Sequence, residues 1–186
     1  FEGLPQKKSV SEWLEYLRTR IRIFADVSPL QMREFMLDSK VAFYSKGDVV
    51  FEKGESGSSL FAIADGHAVV EVGPDINVPI EKGSIFGEVG LISGRKRGAT
   101  IRAGEDSIFV EVSRTAALKL MSSVPGAKRV INRISLERQL LQIFKGGLTV
   151  EDLEPIVEDP AIERVPAGKV VLSEGDEGDD VYVIRS

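Results

Sequence analysis

The chain has 186 residues, 42% hydrophobic and 28% charged, with 24 basic against 29 acidic side chains and a net charge of −5; these proportions allow a packed core and exclude a disordered acidic tail, a fibrous repeat or a chain-wide basic surface for nucleic acid or membrane. Cysteine is absent and His67 is the one histidine, which removes disulfides, thiolate nucleophiles, cysteine-ligated zinc and every site that needs two histidines. With no run of about 20 apolar residues and no charged-then-apolar leader, a cytoplasmic protein without a membrane span is expected.

The opening segment, 1–23, reads as a helix. Ser9 and Glu12 have the spacing of a capping box, and Trp13, Leu14, Leu17 and Ile21 form its buried stripe. Ser28-Pro29 with Gln31 marks a second helix start. From there to residue 123 short apolar strands alternate with glycine turns: Val49 to Phe51, a turn at Glu55-Ser56-Gly57, Leu60 to Ala64, a turn at Asp65-Gly66, Ala68 to Val72, Val78 to Ile80, Thr100 to Ala103 and Ser107 to Val112. His67 is placed at the start of a strand as an exposed residue. Strands punctuated this regularly imply a mainly β fold with flanking α-helices, a β-roll or jelly-roll barrel. Thr115 to Met121 and Lys128 to Phe144 read as helices separated by Val124-Pro125-Gly126, and 124–148 forms a connecting segment.

The chain also repeats itself. Tyr44 to Asp65 recurs as Val165 to Ser186, with Gly47, Gly54 and Gly57 returning 121 residues later as Gly168, Gly175 and Gly178. The same offset pairs Ser28 with Thr149, whose spacing to Asp152 is again that of a capping box. Segment 149–186 is therefore expected to open a second copy with a helix and two or three strands. The acidic run Glu174 to Asp180 lacks the ligand pattern of a calcium loop and matches a plain turn in the first copy.

The segment Phe86-Gly87-Glu88-Val89-Gly90-Leu91-Ile92-Ser93-Gly94-Arg95-Lys96-Arg97-Gly98-Ala99-Thr100 differs from the rest. It sets one acid, a basic triplet and four glycines between strand patterns. Glycines let backbone N–H groups approach an anionic phosphate, a short helix after Gly87 adds donors, and a guanidinium from Arg97 or Arg95 offers a planar, bidentate grip. Glu88 cannot hold phosphate, but it can accept from a ribose hydroxyl and pair with the arginine when phosphate is absent. Three basic residues in an acidic chain do not make a nucleic-acid surface.

With Phe86-Gly87-Glu88, the apolar Val89 to Ile92 and Arg97-Gly98-Ala99-Thr100, the segment resembles the phosphate-binding cassette of the cyclic nucleotide-binding domain family. The turn glycines Gly47, Gly54, Gly57 and Gly66 fit the same family. The resemblance implies a β-roll with flanking helices, complete over 24–123 and begun again at 149–186. It places the ligand on Phe86, Gly87, Glu88, Val89, Gly90, Arg97, Gly98, Ala99 and Thr100, with Glu88 on the ribose 2′-hydroxyl and Arg97 on the cyclic phosphate. Gly98 departs from the family's usual alanine or hydroxyl residue and Gly90 from its alanine. A threonine after the arginine goes in the family with guanine preference, so Gly98 points to cAMP rather than cGMP. The expected function is regulatory rather than enzymatic, without catalytic residues, metal or cofactor. Occupancy would pass through the helices after the barrel to an output domain or protein partner, such as a kinase catalytic subunit or a fused domain, or across a homodimer. A module of the same fold with a degenerate pocket is the competing reading.

Overall fold

The computed structural model describes residues 9–73, 76–144, 147–158 and 163–178, together with 182 and 184. The chain divides into two units, Phe1–Leu136 and Glu137–Ser186.

In the first unit, α1 (Val10–Arg20) and α2 (Pro29–Leu37) start where their caps predict. The Ser9 main-chain N–H donates to Glu12 Oε2 at 2.7 Å, and the Gln31 N–H donates to the Ser28 hydroxyl at 3.3 Å. Each box satisfies first-turn donors that have no intrahelical partner. Eight strands follow, interrupted by one helix: β1 (Ser39–Tyr44), β2 (Val49–Phe51), β3 (Leu60–Asp65), β4 (Ala68–Gly73), β5 (Ile76–Ile80), β6 (Ile85–Phe86), α3 (Glu88–Ser93), β7 (Thr100–Ala103) and β8 (Ser107–Val112). They form two antiparallel sheets, ordered β1-β8-β3-β6 and β2-β7-β4-β5. Two helices come next, α4 (Arg114–Ser123) and α5 (Pro125–Phe144), the latter running on into the second unit.

Two cores result. Between the sheets, Phe51, Phe61, Phe86 and Phe109 pack with Ile63, Ala68, Ile80, Ile101 and Ala103. On the outer face of the first sheet, Leu60, Ala62, Ala64 and Val110 meet Leu17, Phe24, Met32, Ala117, Leu120 and Ile131 from the helices. This is the division that a strand with both faces covered requires, and β3 is accordingly apolar almost throughout.

Helix α1 is fastened to the roll by polar contacts as well. Tyr16 donates its hydroxyl to the Ala64 carbonyl at 3.2 Å, and the Arg22 N–H donates to Gly83 O at 3.3 Å. The Lys82 ammonium pairs with Asp65 and lies 5.8 Å from the Tyr16 ring centroid. The bond to Asp65, followed by that to Tyr16, raises the Lys82 pKa above the ordinary lysine value.

Several expectations need correction. Strand β1, both of whose faces are partly covered, and β6, only two residues long, have no counterpart among the expected strands. Helix α5 starts at Pro125 rather than Lys128; Val124 alone, in an extended conformation, separates it from α4, and proline suits a first helical position. His67 precedes β4 in the β3–β4 turn rather than standing exposed on a strand. It is half-buried, with Nδ1 3.1 Å from Glu105 Oε1.

In the second unit, α6 (Val150–Glu158) begins at the Thr149–Asp152 box and occupies positions 121 residues after α2. Gly168 and Gly175 have φ of 84° and 93°, against 90° and 89° at Gly47 and Gly54. The turn bonds Lys169 N–H to Pro166 O (3.1 Å) and Asp176 N–H to Ser173 O (3.1 Å) match Asp48 to Ser45 and Glu55 to Glu52. The expected strands are not seen among the described residues 163–178. Leu172 is 60% exposed where its counterpart Phe51 is 7% exposed. Phe51 is covered because β2 pairs with β7, and a strand without a partner is not stable in water. Asp179 and Asp180 lie outside the described residues.

Gly47 and Gly83 both have φ near +90°, but a Cβ at Gly47 would meet nothing within 4 Å while one at Gly83 would stand 2.5 Å from Arg20 O. Alanine at either costs about 1–2 kcal/mol for the left-handed backbone. Gly83→Ala must also displace the end of α1, so its melting temperature should fall several degrees further than that of Gly47→Ala. Equal losses would contradict the docking of α1 on this turn.

Candidate functional site

The segment from Phe86 to Thr100 leaves the first sheet at β6 and enters the second at β7. Gly87 makes the turn, with φ of 82°, and Gly94, with φ of 66°, ends α3 by returning its N–H to Gly90 O at 3.1 Å. Ser93 donates to Val89 O at 2.6 Å and accepts from the Arg95 N–H at 3.2 Å, closing the turn that follows.

Glu88 and Arg97 are the buried charged side chains among the described residues, 1% and 7% exposed. A buried cation is stable only where other groups replace its water. Arg97 Nη1 donates to Gly87 O at 3.1 Å and Nη2 to Ser59 O at 2.9 Å. Its Cζ lies 4.1 Å from the Phe51 ring centroid and 5.9 Å from that of Phe61. The main chain is held as well, by Arg97 N–H to Glu55 O (2.9 Å) and Gly54 N–H to Arg97 O (2.8 Å). Burial lowers the Arg97 pKa from the ordinary arginine value, while the charges of Glu111, Glu55 and Glu88 favour the cation. Glu111 is itself fixed by the Ser59 hydroxyl at 2.8 Å.

The expected pairing of Glu88 with Arg97 is therefore replaced. The guanidinium is bound by two carbonyls, and Glu88 acts on it at longer range. Three glycines allow this arrangement. A Cβ on Gly57 would lie 3.2 Å from Arg97 Nε, one on Gly87 2.8 Å from Nη1, and one on Gly90 2.9 Å from Gly57 O. Two of the five guanidinium N–H groups are engaged in these bonds.

The other expected positions are distributed unevenly. Phe86 lies in the roll core, stacked on Phe61 with centroids 5.1 Å apart. Val89, Ala99 and Thr100 are half-buried, Gly90 is buried, and Gly98, Arg95 and Lys96 are exposed. Sequence reasoning missed Phe51, Ser59 and Glu111 and read Gly57 only as a turn. All four reach Arg97 through the fold, from 14 to 46 positions away, and no local pattern marks them. Two surface concavities, between α2 and α4 at Phe35 and Leu120 and between α1 and α2 at Leu14 and Met32, lie apart from this segment.

The description "cyclic nucleotide-binding domain" is that of the family model matching residues 41–124. This part of the chain belongs to the cyclic nucleotide-binding domain family. The chain is 29% identical over 142 residues to a cGMP-dependent protein kinase of Plasmodium berghei, and 27% identical over 154 residues to cyclic nucleotide-gated channel alpha-3 of Homo sapiens. The alignments cover 76% and 75% of this chain but 16% and 22% of those proteins. Among solved structures it is similar to Sp-2Cl-cAMPS bound to PKAR CBD2, at TM-score 0.60 and 23% identity, over 76% of this chain and 96% of that one. That likeness concerns the fold: two antiparallel sheets with flanking helices. Cyclic nucleotide is the ligand of the family, and the domain is of the regulatory, cyclic nucleotide-binding kind. No helix among the described residues is long and apolar enough to cross a membrane.

The close approaches around Arg97 make a stability prediction that needs no ligand. Gly90 lies in α3, where alanine is favoured by about 1 kcal/mol on propensity alone. Gly90→Ala should nevertheless lower stability by about 1–3 kcal/mol, because its Cβ meets the Gly57 carbonyl. Gly98→Ala meets nothing within 4 Å and should be neutral or slightly stabilising. Urea unfolding of both variants checks the pair; a stabilised Gly90→Ala would contradict the packing.

Proposed function

We propose that the domain over 24–123 is a sensor of cAMP, and that Arg97, buried beside Glu88, anchors the cyclic phosphate. The observation that carries this reading is the burial of these two charges in the segment that crosses between the sheets. A charge with no solvent around it has large differential affinity for an anion, and charge-assisted, bidentate bonds are among the strongest a protein makes. Glu88 takes the ribose 2′-hydroxyl, with Phe86, Gly87, Val89, Gly90, Gly98, Ala99 and Thr100 completing the cassette. The names of the kinase relatives point to cGMP. Gly98 lacks the hydroxyl that the family associates with guanine, and for that reason we assign cAMP.

The signal leaves through the helices. Leu91 of α3 is fully buried in the core that also contains Ala116, Ala117 and Leu120 of α4 and Ala127 and Ile131 of α5. A cassette drawn onto a phosphate moves Leu91, and α4 and the start of α5 repack in response. Such a shift requires tighter binding to one arrangement than to the other. The output lies in a fused domain or a partner protein in the cytoplasm, as kinase and channel relatives suggest, or in a second copy of this chain. Segment 149–186 opens a second module. The matching cap, helix bounds and turn glycines support that reading. No second cassette accompanies it in these 186 residues.

Calorimetric titration tests the assignment. cAMP should bind more tightly than cGMP, with one nucleotide per chain, and Gly98→Thr should narrow or reverse the preference. Arg97→Ala should weaken cAMP by roughly a hundredfold or more, since two charge-assisted bonds of about 1.5–3 kcal/mol each are lost. It should remain folded, at a lower melting temperature, because two buried carbonyls lose their donor. Glu88→Gln should lose less. Unchanged binding in Arg97→Ala with a large loss in Arg95→Ala would show that the other arginine is the anchor. No binding by the native chain would favour a module with a degenerate pocket.

A further inference from the structure

We propose that Phe51 is a positioning residue for Arg97: its ring, rather than a carboxylate, holds the guanidinium plane in the orientation that meets the phosphate. This rests on the cassette reading above. The guanidinium's hydrogen bonds go to carbonyls from two separate segments, Gly87 and Ser59. These contacts hold the two amino groups at the edge of the plane and leave its faces to whatever packs on them. The third constraint is the Phe51 face, 4.1 Å from Cζ. A cation over an aromatic face is attracted by the ring quadrupole, most strongly where water is excluded.

The ring is itself held. Phe51 packs against Phe61 and Phe86, with centroids 5.7 and 5.9 Å away, and β2 fixes its backbone against Ile101 of β7. A Cβ at position 57 would stand 3.2 Å from Nε and from Nη2, so the glycine there leaves room for the guanidinium. The nearby carboxylates do not replace the ring: Glu111 bonds to the Ser59 hydroxyl, and with Glu55 and Glu88 it acts on Arg97 through space. A site built this way needs the planarity of arginine and an aromatic partner at position 51, whereas a leucine side chain there would fill similar volume without a π face.

The test compares cAMP affinity, by calorimetry, in the native chain, in Phe51→Leu, and in chains carrying trifluoro- or pentafluorophenylalanine at position 51. Fluorination nearly keeps the ring's size and apolarity but weakens and then reverses its quadrupole; its effect on the packing with Phe61 and Phe86 is read separately, from the melting temperature without nucleotide. Affinity should fall stepwise through the fluorinated series, to roughly five- to thirtyfold below native in the pentafluoro chain. Phe51→Leu, which has no π face, should match the trifluoro chain rather than the pentafluoro one, with melting temperatures confirming that every variant is folded. Pentafluorophenylalanine binding as tightly as phenylalanine would overturn the proposal, even if Phe51→Leu had lost affinity through packing. A native chain that takes up neither cAMP nor cGMP removes the functional reading and this role with it. Tight native binding beside an unaffected fluorinated series removes this role alone.

Discussion

The guanidinium of Arg97 is a cation inside an aromatic core, and the local architecture follows from what its burial requires. Water that would solvate it is replaced by two carbonyls and the face of a ring, each delivered by a different part of the chain. Ser59 comes from the loop before β3, Gly87 from the turn after β6, and Phe51 from β2 in the opposite sheet. Removing such a charge, or one of the groups around it, costs several times what an exposed ion pair does. The glycines at 57, 87 and 90 are the backbone's part in the arrangement: each is where a side chain would collide with the guanidinium or with the loop that carries its acceptor.

The same constraint connects the cassette to the rest of the first unit. Helix α3 begins at the Gly87 turn that accepts from Arg97, and its Leu91 is buried in the core shared by the surrounding helices. A six-residue helix whose two ends are left-handed glycines is short enough to move as a body. Gly87 and Ser59 hold the guanidinium directly, while Leu91 and Ile92 of the same helix pack in the core shared with the surrounding helices. The contact that holds the charge and the contact that could carry a signal lie one helical turn apart.

Much of this was legible in the sequence where the cause is local. Capping boxes at Ser9, Ser28 and Thr149 mark helix starts because the partners are three residues apart. Glycine turns mark strand ends because φ is positive at Gly47, Gly54, Gly66 and Gly83. The cassette stood out because its acid, its glycines and its arginine fall within 15 residues. What was missed is nonlocal. Ser59 and Phe51 are ordinary residues at strand ends until the sheets bring them to Arg97, and β1 lacks alternation because its faces are covered by different elements. Among the described residues, Val170-Val171-Leu172 forms no strand for a related reason: the pattern matches β2, yet β2 owes its burial to β7 rather than to its own sequence.

The most direct measurement is the side-chain Nε–Hε resonance of Arg97 in an NMR titration. Held over Phe51, it should be shifted upfield by the ring current in protein alone and protected from exchange with water, unlike the exposed Arg95. Added cAMP should move it further in proportion to occupancy and saturate at one equivalent per chain, while Phe51→Leu should erase the starting shift. An Arg97 resonance at the position of a solvent-exposed arginine, unmoved by saturating cAMP, would contradict both the burial of the cation and its role as the anchor.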